Sequence, residues 1–322
     1  MFYYENKKEH LIRFRSISES HKAFGLPKPN HPLISLVHFN DEYPFKPEMA
    51  PVYDILNFYK ITFITKNSGK LRYGQNYYDF NEGSMMFLAP NQLVGGTEYN
   101  SKTYAYILLI HPDFLMGYPL AQKIKQYTYF SYSFNEALHL SDSEKETILS
   151  IYHIMDKEIN NRVDVFSQEV IIAQIELLLS YVNRFYQRQF ITRKAANKDV
   201  LQNLEALLDD YFNGDKPLRE GIPSVQFVSE KLNISAGYLS DVLRSLMNQN
   251  TQQYIHQKLI EKAKEKLSTT HSTVSEIAYE LGFEHSQSFN KLFKRKTQQT
   301  PLEFRAAFDY HSKKCRFLII NC

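Results

Sequence analysis

The stretch Thr273-Val-Ser-Glu-Ile-Ala-Tyr-Glu-Leu-Gly-Phe283, followed by Ser288-Phe289 and Leu292-Phe293-Lys294, decides the fold, because the chain has said nearly the same thing once before. Val225, Val228, Ser229 and Leu232 recur as Val274, Ile277, Ala278 and Leu281 at an offset of about 49 residues, as expected of one structural unit used twice. Past the turn the offset lengthens by a residue, so that Leu239, Val242, Leu243 and Arg244 are echoed by Phe289, Leu292, Phe293 and Lys294. The extra residue falls in a turn, where insertions are tolerated. Thr273-x-x-Glu276 has the capping-box form, and Gly282 can take the positive φ that closes a helix. The first copy has Asn233 at that place, the next best residue for a left-handed conformation, and Ser235 is placed to cap the helix that follows. Ser229 and Ala278 are small where the helices of each unit must cross. Helix, turn and second helix form a helix-turn-helix, whose second helix can enter the DNA major groove.

The 322 residues suggest two domains with ample material for two cores, and 43% apolar with 23% charged residues is the composition of a globular chain. No apolar run reaches the length of a membrane span, and Met1 to His10 is polar rather than signal-like, so a cytoplasmic protein with no membrane association is expected. Cys315 and Cys322, both in the last few residues, argue against a disulfide framework and a cysteine metal site. The net charge of +3 is unevenly placed. From Thr251 onward twelve basic side chains stand against seven acidic ones, leaving −2 for the rest of the chain. A phosphate-binding surface requires such an excess, and a solvated helix face also accommodates it.

Residues 1 to about 135 read as β structure. Ile34–His38 and Tyr59–Thr65 are short β-branched and aromatic runs, Lys66–Gly69 looks like a hairpin turn into Lys70–Tyr73, and Met85–Leu88 and Tyr104–Ile110 continue the series. Many short strands spaced by turns predict an antiparallel barrel or jelly roll. An aromatic-lined mouth with His38, Tyr73, Tyr77 and Tyr104 as contacts suits a small effector, while tyrosines at this density also suit the filling of a barrel interior. From Ser141 the period changes to 3.6. Ser141-x-x-Glu144 opens a helix, and a longer one follows from about Ser167 to Phe190, so that helices occupy about 141–191. This antiparallel pair can serve as a dimer interface or be buried against its own barrel. The expected boundaries are therefore 1–192 for a sensor and dimerisation domain, 193–199 for a basic, unpatterned linker, 200–308 for an all-α domain with two helix-turn-helix motifs, and 309–322 for a tail that packs or stays disordered. Between the motifs a long helix, about Thr251 to Leu267, carries Lys258, Lys262 and Lys266 along one face.

Ile277-Ala-x-x-Leu-Gly-Phe283, Ser288-Phe289, Phe293-Lys294 and Thr300-Pro-x-x-Phe304-Arg305 together resemble the AraC/XylS family of bacterial transcription regulators, and Ser235-x-x-Tyr238-Leu239-Ser240 fits its first motif. The resemblance is strong over Val200 to Arg305. It implies a sequence-specific DNA-binding regulator, double-stranded DNA as partner, a homodimer, and a cupin-like sensor domain controlled by a small-molecule effector; it leaves contact with RNA polymerase open. The family usually has glycine before Thr-Pro, where this chain has Gln298, with Asn248 at the equivalent place in the first copy; a reshaped turn is expected. By family analogy the groove-facing positions of the first motif are Ala236, Gly237, Ser240 and Asp241, which offer little. Those of the second are Ser286, Gln287, Asn290 and Lys291, of which Gln287 and Asn290 suit adenine. Lys294, Arg295 and Lys296, with Arg244 in the first copy, are the candidate phosphate contacts.

Gly83-Ser-Met-Met-Phe-Leu-Ala-Pro-Asn-Gln92 resembles the second sequence motif of cupins, in which a glycine opens a strand and a proline leads a tight turn. The rival reading is accordingly a cupin-type metal-dependent isomerase or dioxygenase fused to a DNA-binding domain. No His-x-His pair occurs, and His38 and His111 stand singly, so neither a metal nor another cofactor is expected. No Ser-His-Asp order, phosphate loop or Cys-His pairing suggests other catalysis.

Overall fold

A computed structural model describes residues 11–41, 44, 53–66, 71–73, 76–78, 83–95, 103–133, 136–160, 164, 166–192 and 194–307. The chain divides into two compact units, Met1–Thr192 and Arg193–Cys322. No helix among the described residues is long and apolar enough to cross a membrane.

The first unit runs β1 (Leu11–Phe14), α1 (Ile17–Ala23), β2 (Ile34–Phe39), β3 (Tyr53–Leu56), β4 (Tyr59–Lys66), β5 (Leu71–Tyr73), β6 (Asn76–Tyr78), β7 (Ser84–Leu88), β8 (Leu93–Gly95), β9 (Tyr104–Ile110), α2 (Leu120–Lys123), β10 (Leu138–His139), α3 (Asp142–Asn160) and α4 (Ser167–Thr192). Five strands form an antiparallel sheet in the order β10-β7-β4-β9-β2. Alternation along each strand gives this sheet two apolar faces. Phe63 lies opposite Met85 and Tyr106, and its ring stacks on Tyr152 of α3 at 6.1 Å; Phe87 meets Tyr186 of α4 at 6.1 Å, so the helix pair covers this face. On the other face Leu109 packs with Phe14, Ile17 and Leu56, from β1, α1 and β3, and with Phe58 between β3 and β4.

The closed barrel expected from the sequence is not what these strands build. Among the described residues the main sheet ends at β10 and β2. Side chains of α4 take up the outer edge of β10: the His139 N–H donates to Gln189 Oε1 at 2.8 Å, Gln189 Nε2 donates to the Ala137 carbonyl at 3.1 Å, and Arg188 donates to the His139 carbonyl at 2.7 Å. Gln189 is 1% exposed, so a buried carboxamide replaces the next strand and leaves no free ladder for closure. Among the described residues β5 pairs with β6 rather than with β4; residues 67–69 of the expected turn, and Lys70, expected to start the second strand, lie outside them. The Gly83–Gln92 segment behaves as its sequence suggests. Gly83 (φ +89°) opens β7, and Gln92 ties the turn after Pro90, accepting from the Ala89 N–H at 2.9 Å and donating to the Phe130 carbonyl at 2.7 Å. At the head of α3, Glu144 accepts from the Ser141 N–H at 2.8 Å and also receives Arg188 of α4 at 2.6 Å, so the predicted cap doubles as the pin of the helix pair. The far side of that pair leaves Ile154, Val170, Leu177 and Ile191 exposed.

The second unit is helical: α5 (Lys194–Asn213), α6 (Lys216–Glu220), α7 (Val225–Leu232), α8 (Ala236–Met247), α9 (Thr251–Thr269), α10 (Val274–Glu280), α11 (Ser286–Thr297), and a last helical segment described over 301–307. Residues 194–199, expected as an unpatterned linker, form the first turns of α5; the alanine and lysine content that reads as unpatterned is also that of good helix formers. The expected tail, 309–322, lies outside the described residues. Both motifs share one core. Val228, Leu239 and Leu243 of the first and Ile277, Phe289 and Phe293 of the second pack with Tyr254, Ile255, Leu259 and Ala263 of α9. Burying each such side chain contributes about 1.5–3 kcal/mol, so α9 is the spine that holds the two units in one body.

Candidate nucleic-acid interface

The two copies repeat down to their hydrogen bonds. At the head of α10, Thr273 Oγ1 accepts from the Glu276 N–H at 3.2 Å and the Glu276 carboxylate accepts from the Thr273 N–H at 2.6 Å, which is the predicted capping box. At its end the Gly282 N–H reaches back to Tyr279 and the Phe283 N–H to Ala278, both at 3.0 Å. In the first copy the Asn233 and Ile234 N–H groups make the same pair of bonds to Glu230 and Ser229, at 3.2 and 3.1 Å, with Asn233 left-handed at φ 54°. Ser235 caps α8 by accepting from the Tyr238 N–H at 3.1 Å. Gly282 has φ +88°, and a Cβ there would lie 2.6 Å from the carbonyl carbon of Gly221, so both conformation and crowding require glycine.

On α11 the buried residues Phe289, Leu292 and Phe293 turn the other face outward. Gln287, Asn290 and Lys291 are exposed along it, with Ser286 half-buried at its start. Lys294, Arg295 and Lys296 follow, all exposed, in the last turn, where the helix dipole favours cations. Among the described residues no carboxylate lies within ion-pair distance of Lys291, Lys294, Arg295 or Lys296. Three of the four lysines of α9 differ: Lys258 pairs with Glu205 and Glu261 at 3.8 and 3.7 Å, Lys262 with Glu265 at 2.7 Å, and Lys266 with Glu280 at 2.6 Å, while Lys264 lies over the Phe304 ring at 5.8 Å. Part of the positive excess is therefore neutralised locally, while four cations without an ion pair among the described residues follow one another on α11, Lys294 among them within the electrostatic reach of Glu303. His256 of α9, which sequence reasoning did not single out, faces that charge. Burial first, then Arg295 and Lys296, holds its imidazole below the usual pKa, and it bonds Gln252 at 2.9 Å. No local motif signals it, because its neighbours come from another helix.

The first motif turns its polar groups on itself. Ser240 Oγ lies 2.9 Å from Thr251 Oγ1, and Asp241, its side chain only 13% exposed, takes Arg244 at 2.6 Å. Arg305, which carries part of the family resemblance, is a strut: its guanidinium donates to the Leu267 carbonyl at 3.2 Å and the Ser272 carbonyl at 2.7 Å, fastening the last helix across the end of α9. The left-handed turn expected to be reshaped is kept, with Gln298 at φ 63° and Asn248 at φ 56°.

The four candidate effector contacts are spread over separate sheets. His38, on β2, stacks on Tyr106 at 4.0 Å; Tyr104, on β9, donates its hydroxyl to Asp41 and lies under Lys66 at 5.4 Å. Tyr73 and Tyr77 belong to the β5–β6 hairpin, outside the sheet that carries His38 and Tyr104. His111 caps the short turn that follows β9, its Nδ1 accepting from the Asp113 N–H at 3.3 Å.

A family model described as a helix-turn-helix domain matches residues 228–307. Over 110 residues the chain is 29% identical to the regulatory protein SoxS of Escherichia coli, an alignment that covers 34% of this chain and 96% of that protein. A longer alignment, 269 residues at 24% identity, reaches an uncharacterised HTH-type transcriptional regulator of Staphylococcus aureus; it covers 80% of this chain but only 33% of that protein. Among solved structures, the C-terminal domain of the two-component response regulator yesN from Fusobacterium nucleatum is 31% identical, with 33% of this chain covering 98% of it at a TM-score of 0.29. With the repeated unit, its caps and turns, and these matches across the C-terminal region, the chain belongs to the AraC/XylS family of DNA-binding transcription regulators.

Proposed function

We propose that this regulator reads duplex DNA mainly through α11, with α8 as an orienting partner that enters the neighbouring major-groove segment. The observation that carries the reading is the contrast between the two helices. Gln287, Asn290 and Lys291 of α11 are exposed beside cations that form no ion pair among the described residues, whereas Ser240, Asp241 and Arg244 of α8 are engaged within the domain. Gln287 and Asn290 suit the N6 and N7 edge of adenine, Lys291 suits guanine, and Lys294, Arg295 and Lys296 hold phosphates. The shared core around α9 supports rigid coupling, which places two reading helices about one helical turn of DNA apart.

The N-terminal unit supplies dimerisation and control in this reading. Val170, Leu177 and Ile191 lie seven and then fourteen residues apart on the exposed side of α4, with the exposed Arg184 at the intervening position and Ile154 exposed on α3, and a second copy of the helix pair would cover them. A small ligand on this unit then biases how the paired chains present α11. Selection of bound duplexes from a random pool tests the central statement: one strong half-site contacted by α11, flanked by a weakly specified segment, is expected. Failure to enrich any sequence, with and without cell extract, overturns it.

A further inference from the structure

Beside β2 lies a cavity of about 430 Å³, within the range of roughly 300–1,000 Å³ typical of small-molecule sites. Residues distant in sequence build its walls. His21 of α1 is buried, with Nδ1 2.6 Å from the Pro27 carbonyl oxygen and Nε2 3.0 Å from the Ser35 hydroxyl. The carbonyl only accepts, so Nδ1 carries a proton; burial lowers the imidazole pKa and so favours the neutral form, in which Nε2 accepts from Ser35. At the opposite wall Asn30 Nδ2 donates to Asn160 Oδ1 at 2.6 Å and joins the 24–30 segment to the last residue of α3. These bonds hold the cavity between β2, the loop and α3.

Its polar lining is one-sided. Lys28, His38, Asn30, Asn40 and Asn160 face it, and no carboxylate lines it among the described residues. Asp41 and Glu158, neighbours in sequence of Asn40 and Ile159, do not line the cavity, and Asp156, whose charge acts on His38, is engaged by Asn160 Nδ2 at 2.9 Å. Leu26, Val37 and Ile159 add an apolar floor. We propose that this cavity binds a small organic carboxylate, its anionic end held by Lys28 and the Asn30 and Asn40 amides and its short apolar body resting on Val37 and Ile159. The proposal deepens the ligand-control reading above and rests on it for its regulatory meaning. Two links carry occupancy to α3: Asn160 directly, and His38, whose ring stacks on Tyr106, whose hydroxyl lies 3.1 Å from His153 Nε2 on α3.

The test titrates butyrate and benzoate into the whole chain, with butyramide and benzamide as uncharged isosteres, by calorimetry and saturation-transfer NMR. Both acids bind, the amides bind at least about tenfold more weakly, and Lys28→Ala or Asn30→Ala weakens the acids by about tenfold while leaving the folded state intact by circular dichroism. Amides binding as well as acids, acid binding indifferent to both substitutions, or no binding by either acid overturns the proposal. Affinity for the selected DNA, measured with and without the bound acid, separates the two readings. Saturable, Lys28-dependent binding with unchanged DNA affinity keeps the site and overturns ligand control. DNA affinity that responds to cell extract in a chain that binds neither acid does the reverse.

Discussion

Gln298 and Asn248 end the two reading helices in the left-handed region, at φ 63° and 56°. A side chain with a Cβ is strained there, asparagine least, so the strain falls mainly on Gln298. Gln298→Gly should raise stability by about 0.5–1 kcal/mol, read as a higher denaturant midpoint, with Asn248→Gly gaining less. The reverse experiment is Gly282→Ala, where the added Cβ meets Gly221 at 2.6 Å; a loss of about 2 kcal/mol or more is expected. On the outward face of α11, Gln287→Ala should relax preference at one base position by about 1–3 kcal/mol. Lys294→Ala should weaken all sequences alike and lower the salt slope by about one. Equal losses on selected and random duplexes for Gln287→Ala would remove it from base reading. These residues were legible in the sequence because spacing on a helix decides which side chains share its outer face. That Ser240 is occupied was not, since Thr251 sits on a different helix, whereas the Asp241–Arg244 pair lies within one turn of α8.

At the scale of the element, the second motif is framed by two capping boxes, Thr273–Glu276 at the head of α10 and Thr300–Glu303 at the last helical segment. The backbone N–H of Thr273, and likewise that of Thr300, donates to the glutamate and holds its carboxyl below the usual carboxylate range. A depressed folded pKa contributes stability that is complete above the ordinary glutamate value and is lost as pH falls through the depressed one. Acid titration of unfolding should therefore show stability declining in that window. The double variant Glu276→Gln, Glu303→Gln keeps the acceptor oxygens and should show a flatter decline; an identical slope would mean that other carboxylates carry the acid sensitivity. Such caps could be read from the sequence because both partners lie within three residues. Two of the α9 lysines could not be fully assigned in this way: Lys258 also reaches Glu205 and Lys266 reaches Glu280, partners that only helix packing supplies.

At the scale of the whole molecule, the exposed apolar stripe of α4 is the feature that bears on assembly. Leu177 is 48% exposed and Ile191 61%, apolar surface that a second copy's helix pair would take out of water. If this stripe pairs two copies, Leu177→Glu should yield a monomer in sedimentation and reduce affinity for paired half-sites far more than for a single one. A dimer that survives the substitution would place the interface elsewhere.

The sequence by itself determined the repeated helix-turn-helix, its caps and turns, the change from strand to helix periodicity near Ser141, and which face of α11 is polar. All of these depend on neighbours within one or two helical turns, so local hydrogen bonding and periodic burial settle them. Only the tertiary structure decided that Gln189 would take the edge of β10 and leave the sheet open, that Lys258, Lys262 and Lys266 of α9 would be paired with carboxylates while the α11 cations were not, and that α1, β2 and α3 would enclose a cavity. Those outcomes join residues tens of positions apart, and their energies depend on how the elements pack, which no local pattern encodes.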